Sequence, residues 1–341
     1  MTDRAPAAPA LPRDLLGRPL HDLRISVIET CNYRCPYCMP EGLTPEETPL
    51  DRASRLGFDE IETAVRAFAR LGVSKLRLTG GEPLLRKRLP ELVARLAAVP
   101  GIEDLALTTS GSLLAGQARA LREAGLHRLT VSLDALDPAL FRTLSGGRGN
   151  IDDVLAGIEA AQAAGFASIK INCVVQRGLN DGQALAIAER FRGTPHVPRF
   201  IEYMDVGNCN GWRREGVLPS AELRDLIHAR WPLRALTPSY RGEVATRHGY
   251  VDGGGEVGFV SSVSDPFCGD CHRARLSADG QLFTCLFATR GHALREHIGR
   301  GEDALAEHLA SLWRLRADRY SEQRASAPAD RKKIEMFYIG G

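Results

Sequence analysis

Alternating apolar and polar positions mark residues 24–29, 75–79, 104–109, 128–134, 168–175 and 198–204 as six short strands. Helical spacing of apolar residues fills the intervals at 57–71, 89–98, 116–124, 151–164 and 183–192, and several of these segments close on Gly72, Gly125, Gly165 or Gly193. Repeated strand and helix units predict an α/β protein with a parallel sheet, open or curled into a barrel. Beyond about residue 230 the pattern changes to hairpin signals, at Asp252-Gly253-Gly254-Gly255 and Ala278-Asp279-Gly280, followed by one helix near 303–315. The chain thus divides into a flexible segment 1–18, a barrel 19–229, a smaller region 230–316 and a tail 317–341, with 317–332 loosely docked.

The strand faces carry an anomaly. Lys75, Arg77 and Thr79 share one face of their strand, and Leu76 and Leu78 the other. Thr130, Ser132 and Asp134 likewise oppose Leu129, Val131 and Leu133, while Lys170 and Asn172 oppose Ile169, Ile171 and Cys173. The apolar faces require helices over them. Branched apolar side chains fill a packed barrel interior, so the polar faces predict a solvated cavity holding a polar ligand. A half-exposed sheet with solvent-facing residues is the alternative. If Arg24, Lys75, Arg77, Lys170 and Arg199 converge, they form a polyanion site, because clustered cations repel one another until a phosphate chain offsets them.

Composition narrows the class. The 341 residues are 44% hydrophobic and 25% charged, enough for a full core. Its 44 basic and 42 acidic residues give a net charge of +2, too even for a general nucleic-acid or membrane surface, so any basic site is local. No stretch approaches the roughly 18 apolar residues of a membrane span. A soluble, cytoplasmic protein is expected.

Six of the eight cysteines fall into two groups. Cys31, Cys35 and Cys38 form C-x3-C-x2-C directly after the first strand; Cys268, Cys271 and Cys285 form C-x2-C-x13-C. In a long chain this grouping points to metal or redox chemistry in a reducing compartment rather than to disulfides. Three thiolates with no obvious fourth ligand suit a 4Fe-4S cube with one open iron better than structural zinc, which normally takes four ligands. At the second group His272 could complete a zinc ribbon, and that alternative stays open. Arg273 and Arg275 follow at period two, so both leave one face of a strand. Cys173 and Cys209 read as buried small hydrophobes without a role, and His127, His196 and His248 show no ligand spacing.

The first cysteine motif, together with Gly80-Gly81-Glu82-Pro83 after the second strand, resembles the radical S-adenosylmethionine superfamily. With C-x2-C-x-R-x-R-x9-C added, the chain resembles the GTP 3′,8-cyclase family of molybdenum cofactor biosynthesis from Arg24 to Gly341. The resemblance implies a partial, open (β/α)6 TIM-like barrel with a C-terminal α+β extension carrying a second iron-sulfur site. It implies two 4Fe-4S clusters, on Cys31, Cys35 and Cys38 and on Cys268, Cys271 and Cys285. S-adenosyl-L-methionine would contact Tyr37, Gly81, Ser132 and Met204. GTP would meet Arg24, Arg77, Thr108, Lys170, Arg273 and Arg275, with Lys75 and Arg199 as further basic residues. Arg273, Arg275, Gly340 and Gly341 are the implied catalytic group, the last two delivered by an inserted tail. The implied reaction is hydrogen abstraction from the ribose 3′ carbon and attack of that radical on purine carbon 8. A low-potential electron donor, a cyclic pyranopterin monophosphate synthase downstream and room for a homodimer belong to the same expectation. One departure is Ser110, where the family commonly carries Asn before Gly111. A peptide-modifying radical enzyme and a zinc-stabilised binding module are the rival readings.

Overall fold

A computed structural model describes residues 11–40, 42, 54–326 and 331–340. Six parallel strands form its centre: β1 (Asp22–Ser26), β2 (Lys75–Thr79), β3 (Asp104–Thr109), β4 (Arg128–Ser132), β5 (Ile169–Val175) and β6 (Val197–Glu202). They pair in sequence order. The connecting helices are α1 (Phe58–Arg70), α2 (Leu89–Ala97), α3 (Ala118–Glu123), α4 (Pro138–Leu144), α5 (Ile151–Ala163) and α6 (Asp181–Phe191). The apolar strand faces meet them: Leu76, Leu78, Leu107, Val131 and Ile171 are buried together with Val65, Phe68, Val93, Val154 and Ile187. Two helices follow no clear apolar stripe in the sequence. Asp137 caps α4 by accepting from Leu140 N at 2.7 Å, and α7 (Ser220–Arg230) buries only Ser220, Leu223 and Ile227.

Past α7 the chain feeds both edges of the same sheet. β7 (Leu233–Ala235), β8 (Thr246–Tyr250) and β9 (Glu256–Val260) extend one edge, β9 running parallel to β6. On the other, β10 (Arg273–Leu276) pairs parallel with β1, and β11 (Gln281–Phe283) and β12 (His292–Ala293) continue outward. The result is one open sheet in the order β12-β11-β10-β1-β2-β3-β4-β5-β6-β9-β8-β7. Four helices complete the described chain: α8 (Arg295–Gly299), α9 (Glu302–Arg314), α10 (Tyr320–Gln323) and α11 (Met336–Ile339).

The ends are less free than the sequence suggests. Residues 1–10 lie outside the described residues, but 11–18 are docked. Asp14 is buried between two arginines, 2.6 Å from Arg18 Nε and 3.1 Å from Arg316 Nη1. Arg18 Nη1 then donates to Cys268 O at 2.6 Å and Arg316 Nη1 to Cys271 O at 2.7 Å. A buried ion triad thus ties the N-terminal segment to the second cysteine group. Tyr320 is buried too, and its hydroxyl bonds Asp205 at 2.6 Å, so this part of the tail is also packed.

Close backbone approach governs the first cysteine loop. Gly81 N donates to Ile28 O at 2.8 Å and Glu82 N to Thr30 O at 2.9 Å, and a Cβ on Gly81 would fall 2.3 Å from Thr30 O. Any larger residue there displaces the chain leading into Cys31. Gly81→Ala should therefore lower stability by about 1–3 kcal/mol in urea unfolding. Gly116→Ala, where a Cβ meets nothing within 4 Å, should change it by less than about 0.5 kcal/mol. Equal effects of the two substitutions would contradict the close-approach account.

Candidate functional site

Strand register sets the charges of the interior. Across β10, β1, β2 and β3 one row reads Arg273, Asp22, Lys75, Asp104, and the next row on the same face reads Arg275, Arg24, Arg77, Ala106. The first row alternates in sign. The second sets three guanidinium groups side by side with no acid among them. Further round the sheet, Thr108, Thr130 and Lys170 pair in a continuing row, and Asn172 pairs with Arg199.

Hydrogen bonds hold part of this cation cluster. Arg77 Nη1 donates to the hydroxyls of Thr108 and Thr130, each at 3.0 Å. Arg199 reaches Asn172 Oδ1 through Nε at 3.0 Å and Nη2 at 2.8 Å, and Lys75 Nζ donates to Tyr240 OH at 2.7 Å. Arg275 donates to the Gly340 carbonyl. Arg24 and Lys170 have no hydrogen-bond partner among the described residues. Burial first, and neighbouring cations after it, push Arg24 down to about 9, Arg77 to about 10 and Lys170 to about 7. Burial likewise lowers Arg199 to about 10.

The same register places the cysteine groups. Cys31 lies past the C-terminal end of β1, whereas Cys268 and Cys271 precede β10, whose Arg273 pairs with Asp22 at the start of β1. β11 runs back along β10, with Phe283 opposite Arg275, so Cys285 returns to the end where Cys271 sits. The cation rows therefore lie between the two cysteine groups. A single cavity of about 350 Å³ is lined by both groups, by Arg24, Arg77, Lys170, Arg199, Arg273 and Arg275, and by Tyr37, Gly81, Ser132 and Met204. Every candidate residue within the described chain faces it or touches a residue that does; Gly341 lies outside the described residues.

The donor sets fit iron-sulfur clusters. Four thiolates on one zinc ion sit about 3.8 Å apart, from Zn–S bonds of about 2.3 Å in a tetrahedron. Neither cysteine group brings three sulfurs within 4.8 Å of one another. Wider spacing suits a polynuclear cluster. His272 does not complete a zinc ribbon: its ring faces Asp22, with Nδ1 3.6 Å from Oδ1. Arg316 Nη2 approaches Cys271 Sγ at 3.3 Å. Although burial raises the Cys271 thiol, Arg273 and Arg316 more than reverse this and bring it to about 6.

Polar partners steady the cavity near Cys31. Glu82 is buried and accepts from Leu84 N at 3.0 Å, Thr109 Oγ1 at 2.7 Å and Ser110 N at 2.7 Å. Ser110 Oγ lies 3.2 Å from Ser112 Oγ, which accepts from Asn32 in the cysteine loop at 2.9 Å. Ser110 is thereby linked through Ser112 to the cysteine loop. Tyr37 OH donates to Asp134 at 2.6 Å, and burial pushes Asp134 up to about 6.

Asp134 and Tyr240 were not singled out from the sequence. Period two already placed Asp134 on the polar face, but no sequence signal marks Tyr240, which arrives on the loop before β8. Cys209 also departs from expectation. It is half-buried, and its Sγ lies 3.0 Å from Glu335 Oε2, because the segment after β6 folds against the returning tail. His127 and His196 accept the Leu105 and Ile169 amides at 3.0 and 3.3 Å, so both cap strands.

Six central parallel strands beside a cavity lined by two cysteine groups go with a match of residues 25–191 to the family described as Radical SAM superfamily, which places the chain in the class of radical S-adenosylmethionine proteins. Residues 197–322 match Molybdenum Cofactor Synthesis C. GTP 3′,8-cyclase of Xanthomonas campestris pv. campestris (strain 8004) is 66% identical over 329 residues, covering 96% of this chain and 97% of that protein. GTP 3′,8-cyclase of Acidothermus cellulolyticus is 52% identical over 357 residues, covering 96% and 99%. Streptococcus suis SuiB shares the fold at a TM-score of 0.60 and 15% identity, over 92% of this chain and 69% of that one. The chain belongs to the GTP 3′,8-cyclase family, within the radical S-adenosylmethionine superfamily.

Lys170 supplies a pH signature. Its folded pKa of about 7 lies below its ordinary value of 10.5, so between these limits the unfolded chain binds the extra proton and stability rises with pH. Relative to Lys170→Gln, the nucleotide-free wild type should gain stability from pH 7 to pH 9 in parallel urea titrations, by at most about 1.4 kcal/mol per pH unit. A pH-independent difference would remove Lys170 from the buried cation cluster.

Proposed function

We propose that this chain is a GTP 3′,8-cyclase of molybdenum cofactor biosynthesis. The observation that carries the reading is the unbroken Arg275, Arg24, Arg77 row inside a cavity bounded by two cysteine triads. Cys31, Cys35 and Cys38 would hold the cluster that binds S-adenosylmethionine, and Cys268, Cys271 and Cys285 the second. With S-adenosylmethionine bound, the first cluster would supply one electron that cleaves it to methionine and a 5′-deoxyadenosyl radical for removal of the ribose 3′ hydrogen, and the bond from carbon 3′ to purine carbon 8 would be completed by one further electron and a proton.

The chain's own residues bind and orient. Arg24, Arg77, Lys170 and Arg199 take the triphosphate, whose charge relieves their mutual repulsion, with Lys75 and Thr108 beside them. Tyr37, fixed by Asp134, and Gly81, Ser132 and Met204 frame the S-adenosylmethionine side. At the other end Arg273 and Arg275 border the purine. Ile339 is buried and Gly340 packs on Thr79, where an added Cβ would fall 2.4 Å from Cγ2. The tail thereby closes the cavity against water and sets Arg275 through its carbonyl. A peptide-modifying enzyme, the rival reading, needs no triphosphate pocket of this kind. A low-potential electron donor, a downstream cyclic pyranopterin monophosphate synthase, cytoplasmic location and a homodimer complete the proposal; no helix among the described residues is long and apolar enough to cross a membrane.

Anaerobic turnover of the reconstituted protein with reductant, S-adenosylmethionine and GTP tests the reading. Wild type should form 5′-deoxyadenosine and cyclised nucleotide, Cys35→Ala neither, and Cys285→Ser only the first, because radical generation and substrate positioning are separable. Cyclisation by Cys285→Ser lacking the second cluster would sink the assignment. Arg24→Leu or Arg77→Leu should weaken GTP binding by about 1.5–3 kcal/mol in equilibrium dialysis, with little change for S-adenosylmethionine. Unchanged GTP affinity in both would move the triphosphate elsewhere.

A further inference from the structure

Three side chains outside the proposed reaction meet at the start of β1. His21 Nδ1 lies 2.6 Å from Asp22 Oδ1, and His272 Nδ1 lies 3.6 Å from the same oxygen. Among the described residues, this is the only set of three His, Cys, Asp or Glu residues whose donor atoms all fall within 4.8 Å of one another. The backbone imposes the meeting: His21 N and Asp22 N both donate to His272 O at 3.1 Å.

His272 is the informative member. It is 6% exposed, and neither ring nitrogen has a hydrogen-bond partner. A buried polar atom left unpaired costs about 1–3 kcal/mol, so a ring with two such atoms calls for a ligand. The ring is confined, since a Cβ on Gly242 would fall 2.4 Å from Nε2. His21 Nε2 lies 3.3 Å from Ser74 Oγ, the kind of contact at the far ring nitrogen that orients a metal-bound imidazole. A small cavity of about 130 Å³, bordered by Gly17, Pro19 and Tyr240, reaches both histidines and has room for water.

We propose that His21, Asp22 and His272 bind one divalent cation of the zinc class, with water completing its coordination. Two imidazoles and one carboxylate are an established donor set for zinc and iron(II), and three protein ligands leave a position open. Ligands about 2.1 Å from a tetrahedral ion sit about 3.4 Å apart, and these donors already lie within 4.8 Å of one another. Arg18 and Arg241, which border the cavity, already pair with Asp14 and Asp270. Lys75 Nζ also faces Asp22, at 3.9 Å from Oδ2, and retains its bond to Tyr240. The second cysteine group is not involved.

The test titrates zinc chloride anaerobically into holoenzyme of verified iron content, against a chromophoric chelator. About one zinc per chain should bind beyond the iron, with a zinc-edge X-ray absorption first shell of nitrogen and oxygen. His21→Gln and His272→Asn should each weaken binding at least about tenfold. His21 is half-exposed, so its variant keeps the test open if the buried His272→Asn misfolds. A sulfur shell, undiminished binding in a folded variant, or no zinc retained at micromolar free metal overturns the proposal.

Discussion

Three arginines in one row of a parallel sheet are the constraint around which the rest of this molecule is arranged. Arg275, Arg24 and Arg77 are neighbours by register, and only hydroxyls and one carbonyl answer them directly. Two residues earlier the same strands alternate Arg273, Asp22, Lys75 and Asp104, and that row is balanced. A protein that needed stability alone could alternate both rows. Leaving one row unbalanced places its repulsion where an anionic ligand would remove it, and such a ligand would link binding and folding through the same side chains.

The same register also fixes where the two cysteine groups lie. Because β10 runs parallel beside β1, the second cysteine group returns to the start of β1 while the first leaves from its end. Five-residue β1 sets the spacing between them. Neither end depends on the sheet alone. Gly81 presses the chain into Cys31 from one side, and the Asp14, Arg18 and Arg316 triad holds Cys268 and Cys271 from the other. Removing one member of a buried triad leaves an unpaired charge, so the N-terminal segment is structurally coupled to a site far away in sequence.

Much of this was legible in the sequence because it rests on periodicity. Period two put Lys75, Arg77, Lys170 and Asn172 on one face and their apolar neighbours under the helices, as found. Spacing exposed both cysteine groups. What escaped rests on long-range contact. The Asp137-Pro138 pair is a recognisable helix start for α4, yet α7 buries too little to leave a stripe. Residues 11–18 looked mobile because the partners of Asp14 and Arg18 lie near residues 268 and 316. Tyr240 belongs to an irregular loop, and Cys209 meets Glu335 only after the tail returns. Local patterns carry no information about such meetings.

A pH dependence of anion binding follows from the same electrostatics. In the proposed reading, a triphosphate on Arg24, Arg77 and Lys170 would gain charge-assisted bonds at groups remote from the ribose and purine, and that energy would hold the reacting carbons in place. Lys170, lowered to about 7 by burial and four neighbouring cations, would take up a proton as such an anion arrives. Binding there would grow stronger as pH falls toward that value of about 7, opposite in sign to the nucleotide-free stability. Gly340 then matters through its position. Its carbonyl takes one donor of Arg275 while the residue packs on Thr79 at the end of β2, so the returning tail tethers that guanidinium within the cation row.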